Sequence, residues 1–400
     1  MSGLGDKEGG NGEKEKEPFS QYQLDLYAFA IMGGKKPITT TDPNKLEQKA
    51  RKAMSPEGFN YVFGGAGEQA TMQASRLAFR QWKLIPRLLR PTLPRDLRVK
   101  LFGRTYAYHA DAETGVASAC ASLSVPFVYS TASSTGLEAV AAAAAADAAA
   151  PATAKAPRWF QLYWPLDDDI TASLLGRARA TGCEALVVTL DTFTMAWRPL
   201  DLDAGFLPFA VGEGNALGFG DAVEDNVMVA SRFWTGEVFS GHAHCWEDLA
   251  TLRRLWGDGP IILKGVLSID DALAVRSGVD GIIMSNHGGR QLDGAVPSLE
   301  MLPEIVEAVG DKLTVLFDSG IRTGADVLKA LALGAKAVFV GRPVIYGLGI
   351  AGREGARHVL TGLLADVDQS MGLAGVQTVG ELNRSMLRRI NYGGDIKSSL

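Results

Sequence analysis

The strongest constraint in this sequence is a repeated alternation. Seven short apolar runs recur: PFVYST (126–131), WFQLY (159–163), ALVVTLD (185–191), PIILKG (260–265), GIIMSNH (281–287), TVLFDSG (314–320) and AVFVGRP (337–343). They are too short for buried helices and lack polar alternation, which is the pattern of strands buried on both faces of a parallel sheet. Amphipathic stretches that close on glycine separate them. TGADVLKALALGA predicts a helix with Thr323 as N-cap, Val327, Leu328, Leu331 and Ala332 on one face, and Gly334 just past its end. DITASLLGRARATG and SIDDALAVRSG repeat the scheme and close on Gly182 and Gly278. Units of about 30 residues favour a closed α/β barrel of the TIM (β/α)8 type over an open doubly wound sheet.

Composition narrows the partners. The 400 residues are 46% apolar and 21% charged, with a net charge of −5, so no basic surface argues for nucleic acid or an anionic membrane. No apolar run outside the alanine tract reaches the length of a membrane span. The three cysteines form no CxxC pair, which suits a reducing, cytoplasmic setting. Residues 1–18, charged and Gly-rich, read as a disordered tail ahead of one barrel domain at 19–400. The terminal SSL lacks the basic middle residue of a peroxisomal tripeptide, so that address is only weakly suggested.

Two irregularities interrupt the pattern. Residues 192–259 separate two strands by far more than one helix, and read as a lid. At the front, RVKLFGRTYAYH reads as a hairpin around Gly103 and runs directly into a helical stretch, DAETGVASACASL. No apolar strand lies between them, so seven strands are counted and the first barrel strand is missing or degenerate. The alanine-rich 139–157 predicts a helix in its first half and a surface loop after Pro151.

In a closed barrel the chemistry gathers at the C-terminal strand ends. Here those ends carry Ser130, Gln161, Tyr163, Thr189, Asp191, Lys264, Ser285, His287, Arg290, Asp318, Gly320, Arg322, Gly341 and Arg342. Gly320 and Gly341 allow backbone N–H groups to approach an anion, and Arg322 and Arg342 add forked charge, so the last two strands predict a phosphate site. An Arg–Asp ion pair with Asp318 is the plainer alternative. Lys264 fits three roles: a cation beside a reduced flavin, a Schiff-base lysine, or a partner of Asp191 or Asp318. Arg290 is suited to clamp a carboxylate, and His287 to accept a proton near neutral pH with Asp191 orienting it. GHAHCWED (241–248) reads as a loop or N-cap, not a metal site, and no metal is expected.

Taken in order, FQLY, TLDT, ILKG, SNHGGRQLDG and DSGIRTGADVLKALALGA…GRP resemble the FMN-dependent 2-hydroxy acid oxidising family, which includes glycolate oxidase, flavocytochrome b2 and lactate 2-monooxygenase. The resemblance runs from about Tyr22 to Arg389, and TLDTFTMAWRPLDLD is most similar to the lactate 2-monooxygenase branch. It implies bound FMN, a small lactate-like L-2-hydroxy acid as substrate and O2 as acceptor. The product would be the 2-keto acid or its decarboxylated form. It implies that His287 takes the substrate proton, paired with Asp191. Arg290 and Tyr61 would hold the carboxylate, Tyr163 would bond the hydroxyl, and Arg198 would lie near the substrate. Ser130, Gln161, Thr189, Lys264, Ser285 and Asp318 would serve the flavin and its ribityl chain, and Gly320, Arg322, Gly341 and Arg342 its phosphate. A homo-oligomer is compatible with it. The missing strand is a departure from the family pattern. It leaves open that RTYAYH, with Tyr106 and Tyr108, substitutes for that strand, that the sheet edge opens, or that the barrel is degenerate and has lost flavin binding.

Overall fold

The computed structural model describes residues 18–102, 104–106, 113–123, 125–145, 157–205, 227–275 and 278–390. The expected tail (except its last residue), Gly103, Tyr108, the loop half of the alanine tract, the middle of the 192–259 excursion and the terminal tripeptide lie outside these.

Four helices lead: α1 (Gln21–Gly33), α2 (Pro43–Ala53), α3 (Pro56–Phe63) and α4 (Ala70–Gln81). Both α2 and α3 start on proline, whose missing N–H costs nothing at a helix start. The residues before them cap: Asp42 accepts from the Asn44 N–H and Ser55 from the Gly58 N–H. β1 (Trp82–Leu84) pairs antiparallel with β10 (Leu387–Arg389), joining the two flanks of the barrel. β2 (Val99–Leu101) and β3 (Arg104–Tyr106) form the expected hairpin.

The barrel then runs α5 (Glu113–Leu123), β4 (Phe127–Ser130), α6 (Leu137–Ala145), β5 (Arg158–Tyr163), α7 (Asp168–Ala180) and β6 (Cys183–Thr189). The long excursion supplies α8 (Pro199–Ala204), α9 (Val227–Val238) and α10 (Leu249–Trp256). After it come β7 (Ile261–Lys264), α11 (Ile269–Val275), β8 (Gly281–Met284), α12 (Ser298–Val309), β9 (Thr314–Phe317), α13 (Gly324–Ala332) and α14 (Arg342–Ala374). α14 is two helices in series, broken where Ala351 and Gly352 leave helical geometry.

β4 to β9 lie side by side in chain order, all parallel. Their side chains alternate with period two, and both sets are apolar. Trp159, Ala185, Val187, Ile262, Ile283 and Leu316 fill the barrel interior. Phe160, Leu162, Leu186, Val188, Leu263 and Ile282 pack outward under the helices. Burial on both faces therefore produced the unbroken apolar runs, each such side chain contributing about 1.5–3 kcal/mol. The hairpin plugs the N-terminal end. Val99 and Leu101 join the interior cluster, and Phe102 meets Trp159 edge-on, with ring centroids 6.0 Å apart.

The seventh apolar run differs from expectation. Residues 337–340 continue the sheet through one bridge, Phe317 to Val338, with the Phe339 N–H donating to the Phe317 carbonyl at 2.8 Å. Their other edge has no strand beside it among the described residues, so a regular ladder does not form. Arg104–Tyr106 does not substitute for the missing strand, because it pairs with β2 and not with β4. The GHAHCWED stretch caps a short helical turn: the Asp248 carboxylate accepts from the Cys245 N–H at 2.7 Å, and His244 stacks on Trp164.

Candidate active site

A cavity of about 320 Å³ opens at the C-terminal strand ends. Twelve of the expected residues line it: Ser130, Gln161, Tyr163, Thr189, Lys264, His287, Arg290, Asp318, Gly320, Arg322, Gly341 and Arg342. Tyr61, Asp191, Arg198 and Ser285 stand behind its wall and act on the lining residues.

One wall is a polar ladder across three adjacent strands. Ser130 Oγ donates to Gln161 Oε1 at 2.7 Å, and Gln161 Nε2 donates to Thr189 Oγ1 at 2.8 Å. The positions sit in register because β4, β5 and β6 do. At the next strand end Lys264 Nζ lies 3.7 Å from Asp318 Oδ2 and 4.0 Å from Asp191 Oδ2, so the pairing expected of it with either carboxylate is shared between both.

The far end of the cavity is cationic. Arg342 is half-buried and donates only to main-chain carbonyls, those of Val62, Phe63, Gly64 and Gly288. Burial, then Arg290, pulls its pKa down to about 10. Burial, then Arg76, likewise lowers that of Arg322, whose Nη1 donates to its own Ile321 carbonyl. Neither pairs with a carboxylate among the described residues, so the alternative of an arginine paired with Asp318 is not formed; Asp318 pairs with Lys264 instead. A Cβ built on Gly341 would point into open space, whereas one on Gly320, at φ +89°, would meet Ser75 O at 3.0 Å. Two uncompensated guanidiniums beside a glycine cradle fit a phosphate. The amide–hydroxyl ladder and Lys264 fit the polar edge of a flavin, so the donor set matches FMN.

His287 lines the same cavity, next to Gly288, whose carbonyl accepts from Arg342 Nη1 at 2.8 Å. Its Nδ1 lies 2.9 Å from Asp191 Oδ1, 3.0 Å from Thr192 Oγ1 and 3.3 Å from Lys264 Nζ. The carboxylate is nearest and charged, so Nδ1 carries the proton and donates to it. Thr192 Oγ1 donates to the same Asp191 oxygen at 2.9 Å. Nε2 is left as the basic nitrogen. Burial pushes the His287 pKa below 6.5, aided by Lys264 and opposed by Asp191. Burial would raise the Asp191 carboxyl, but Lys264 and His287 outweigh it and hold it far below the usual range.

The backbone that presents this ring is unusual. His287, Gly288 and Gly289 have φ of +56°, +65° and +72°, a left-handed turn costly for a residue with a Cβ. Several hydrogen bonds hold it. Ser285 Oγ accepts from the His287 N–H at 3.0 Å and donates to Asp318 at 2.7 Å. Ser319 Oγ accepts from the Gly288 N–H at 3.0 Å, and Asn286 Oδ1 from the Gly289 N–H at 3.2 Å.

Arg290 stacks on the Tyr61 ring at 4.9 Å. Its Nη1 donates to the carbonyls of Tyr61 and Gly64, leaving Nε and Nη2 for another acceptor. Arg198, at the start of α8, donates through Nε to the Arg290 carbonyl and through Nη2 to Gln291 Oε1. Asp201 is the nearest carboxylate to both guanidiniums, but only at 3.9 and 4.0 Å, and neither of its oxygens accepts a hydrogen bond. Burial raises its pKa against the pull of Arg290 and Arg198. Burial, then Tyr61, raises Tyr163 far above the ordinary phenol, so it stays a neutral donor. Tyr163 packs against Phe239, at 5.2 Å, which brings the excursion over the site.

Sequence reasoning missed Thr192, Ser319, Asn286, Gln291 and Asp201. Thr192 adjoins Asp191 in TLDT, and Asn286 and Gln291 flank the His–Arg pair in SNHGGRQ, so adjacency was the available signal. Ser319 lies between Asp318 and Gly320, and Asp201 follows Arg198 by three residues, so the same signal was there for both.

A family model described as FMN-dependent dehydrogenase matches residues 50–389. The FMN-dependent alpha-hydroxy acid dehydrogenase qulF of Penicillium citrinum is 50% identical over 408 aligned positions, covering 96% of this chain and 99% of that protein. That alignment is longer than this chain, so the relative has residues with no counterpart here. L-lactate oxidase of Lysinibacillus sphaericus is 37% identical, over 88% of this chain and 93% of its own. A crystal structure of mandelate oxidase superposes with a TM-score of 0.75 at 38% identity, over 88% of this chain and 98% of that one. With a sheet of parallel strands and a carboxylate-held histidine beside two guanidiniums in one cavity, the chain belongs to the FMN-dependent dehydrogenase family.

Proposed function

We propose that this chain oxidises a small L-2-hydroxy acid of lactate type to the 2-keto acid or its decarboxylated product, with O2 as acceptor. One observation carries the assignment of roles. The basic Nε2 of His287 and the free nitrogens of Arg290 belong to residues lining one cavity with the cationic Arg322–Arg342 cradle. Relatives named for lactate and for mandelate support the substrate class.

Arg322, Arg342 and the main chain at Gly320 and Gly341 would hold the FMN phosphate. Ser130, Gln161, Thr189 and Lys264 would face the ring and ribityl chain, with Asp318 and Ser285 behind them. Bound FMN supplies a two-electron acceptor. The protein does the rest. Arg290, through Nε and Nη2, grips the substrate carboxylate, and Arg198 adds positive charge behind it. Tyr163, neutral, donates to the substrate hydroxyl. His287 Nε2 takes a proton from the substrate, and Asp191 stabilises the resulting imidazolium through Nδ1. Burial, aided by the positive charge of Lys264, favours the neutral imidazole beforehand.

The test is a spectrum. The purified protein should be yellow, and anaerobic L-lactate or a close analogue should bleach it. His287→Ala should keep its flavin and bleach about 10²–10⁴-fold more slowly. Bleaching at the parent rate would remove His287 from the reaction. A protein that stays colourless after FMN addition would overturn the assignment altogether.

A further inference from the structure

Asp201, in α8, is a carboxylate that the fold buries without a hydrogen bond. It is 8% exposed, and both its oxygens are shielded from solvent and accept nothing. The end of α3 closes over it: a Cβ built on Gly64 would lie 3.7 Å from Asp201 Oδ1. Burying a carboxyl without hydrogen bonds costs stability. The groups around it show what offsets that cost.

Two guanidiniums face it. Asp201 Oδ2 lies 3.9 Å from Arg198 Nη1 and 4.0 Å from Arg290 Nη2. Each arginine is anchored through other nitrogens. Arg290 Nη1 donates to the carbonyls of Tyr61 and Gly64. Arg198 donates through Nε to the Arg290 carbonyl and through Nη2 to Gln291. The two nitrogens nearest Asp201 are therefore ones that no hydrogen bond to the protein occupies. At these distances the carboxylate attracts both charges and consumes neither donor. A hydrogen-bonded Asp201 would take the Arg290 Nη2–H away from a bound carboxylate.

We propose that Asp201 is a positioning and specificity-determining residue: its negative charge cancels one of the two positive charges of Arg198 and Arg290, and leaves the clamp matched to a substrate with a single carboxylate. The inference rests on the assignment of Arg290 as the carboxylate clamp, and it narrows the substrate class of that site to monoanions. The remaining cations of the cavity are committed elsewhere. Lys264 is shared between Asp191 and Asp318, and Arg322 and Arg342 serve the phosphate. A second carboxylate on the substrate thus finds no spare positive charge among the described residues. Asp201 touches no reacting atom; it acts through the two arginines.

The test uses the FMN-loaded chain and two anions of one shape, oxamate with one negative charge and oxalate with two. Calorimetric titration at about pH 8, where carboxyls are ionised, should find that the parent binds oxalate no more tightly than oxamate. Asp201→Asn keeps the size of the side chain and removes its charge. The variant should bind oxamate about tenfold more tightly and gain more than that for oxalate, because Coulomb energy scales with the charge of the ligand. The KM for lactate should fall along with the oxamate dissociation constant. Unchanged or weaker binding in the variant, or an equal gain for both anions, would overturn the proposal and leave Asp201 a support for α8. A parent that prefers oxalate would overturn it too, on a measurement that stands even if the variant does not fold. A parent that binds neither anion would instead remove Arg290 as the carboxylate clamp, and the charge balance with it.

Discussion

At φ +56° His287 holds a conformation that a Cβ disfavours, and the two following glycines are the only hint of it in the sequence. The residue types at the strand ends were readable because a barrel must present polar groups there. The left-handed turn was not, since it depends on hydroxyls of Ser285 and Ser319 that any loop might carry. The consequence for chemistry is a base whose neutral form is favoured. Burial and Lys264 lower its pKa below 6.5, and Asp191 partly offsets them. The acid limb of kcat/KM, which reports the free enzyme's base, should therefore fall below pH 6.5. Asp191→Asn removes the partner that favours the imidazolium, so it should lower kcat and move that limb to still lower pH. A limb found above 6.5, or one that moves upward in the variant, would mean that another group is being titrated.

Elements differed in legibility for the same kind of reason. β6 to β9 are buried on both faces, so their runs are mainly apolar, and β5 departs from this only at Gln161, which faces the cavity. Residues 337–340 read identically but have a neighbouring strand on one side only among the described residues, and strand regularity needs the neighbour as well as the residues. The excursion's α8 and α9 were hidden by mixed composition, whereas α10 buries Leu252 and Trp256, one turn apart, in the main core. α13 was legible down to its cap. Thr323 Oγ1 accepts from the Asp326 N–H at 3.2 Å, and Asp326 accepts from the N–H groups of Thr323 and Arg322. That reciprocal cap also fixes the loop carrying Gly320 and Arg322. Thr323→Ala should cost about 0.5–2 kcal/mol in denaturant unfolding. It should also raise the FMN dissociation constant several-fold while kcat at saturating FMN stays within about twofold. Lost stability with unchanged FMN affinity would show that the cap serves the helix alone.

Across the whole molecule, two histidines, His358 buried and His287 half-buried, lie far apart in the fold and face the same problem. His287 sits at the barrel mouth. His358, in α14, meets the Tyr22 hydroxyl at 2.5 Å and so ties α1 to the barrel's last helix. Burial lowers both pKa values below 6.5. At His287 Lys264 adds to this, and at His358 a hydrogen bond involving the Thr40 backbone opposes it. Between the lowered folded values and 6.5 the unfolded chain therefore binds more protons than the native one, and stability rises with pH across that window. It is fully present above 6.5 and falls away as the pH drops through the folded values. Asp368 acts in a separate, more acidic window. Burial opposes its ionisation, but Arg95 and Ser20 prevail and hold its pKa below 3.8, so its contribution is lost only beneath that. The melting temperature should consequently decline in two stages on acidification, the first beginning near pH 6.5. His358→Gln lies outside the active site and should flatten the first stage, leaving the second and the kinetics at neutral pH as they were. A first stage of unchanged slope in that variant would assign the whole of it to His287 and deny α14 any part in the protein's response to pH.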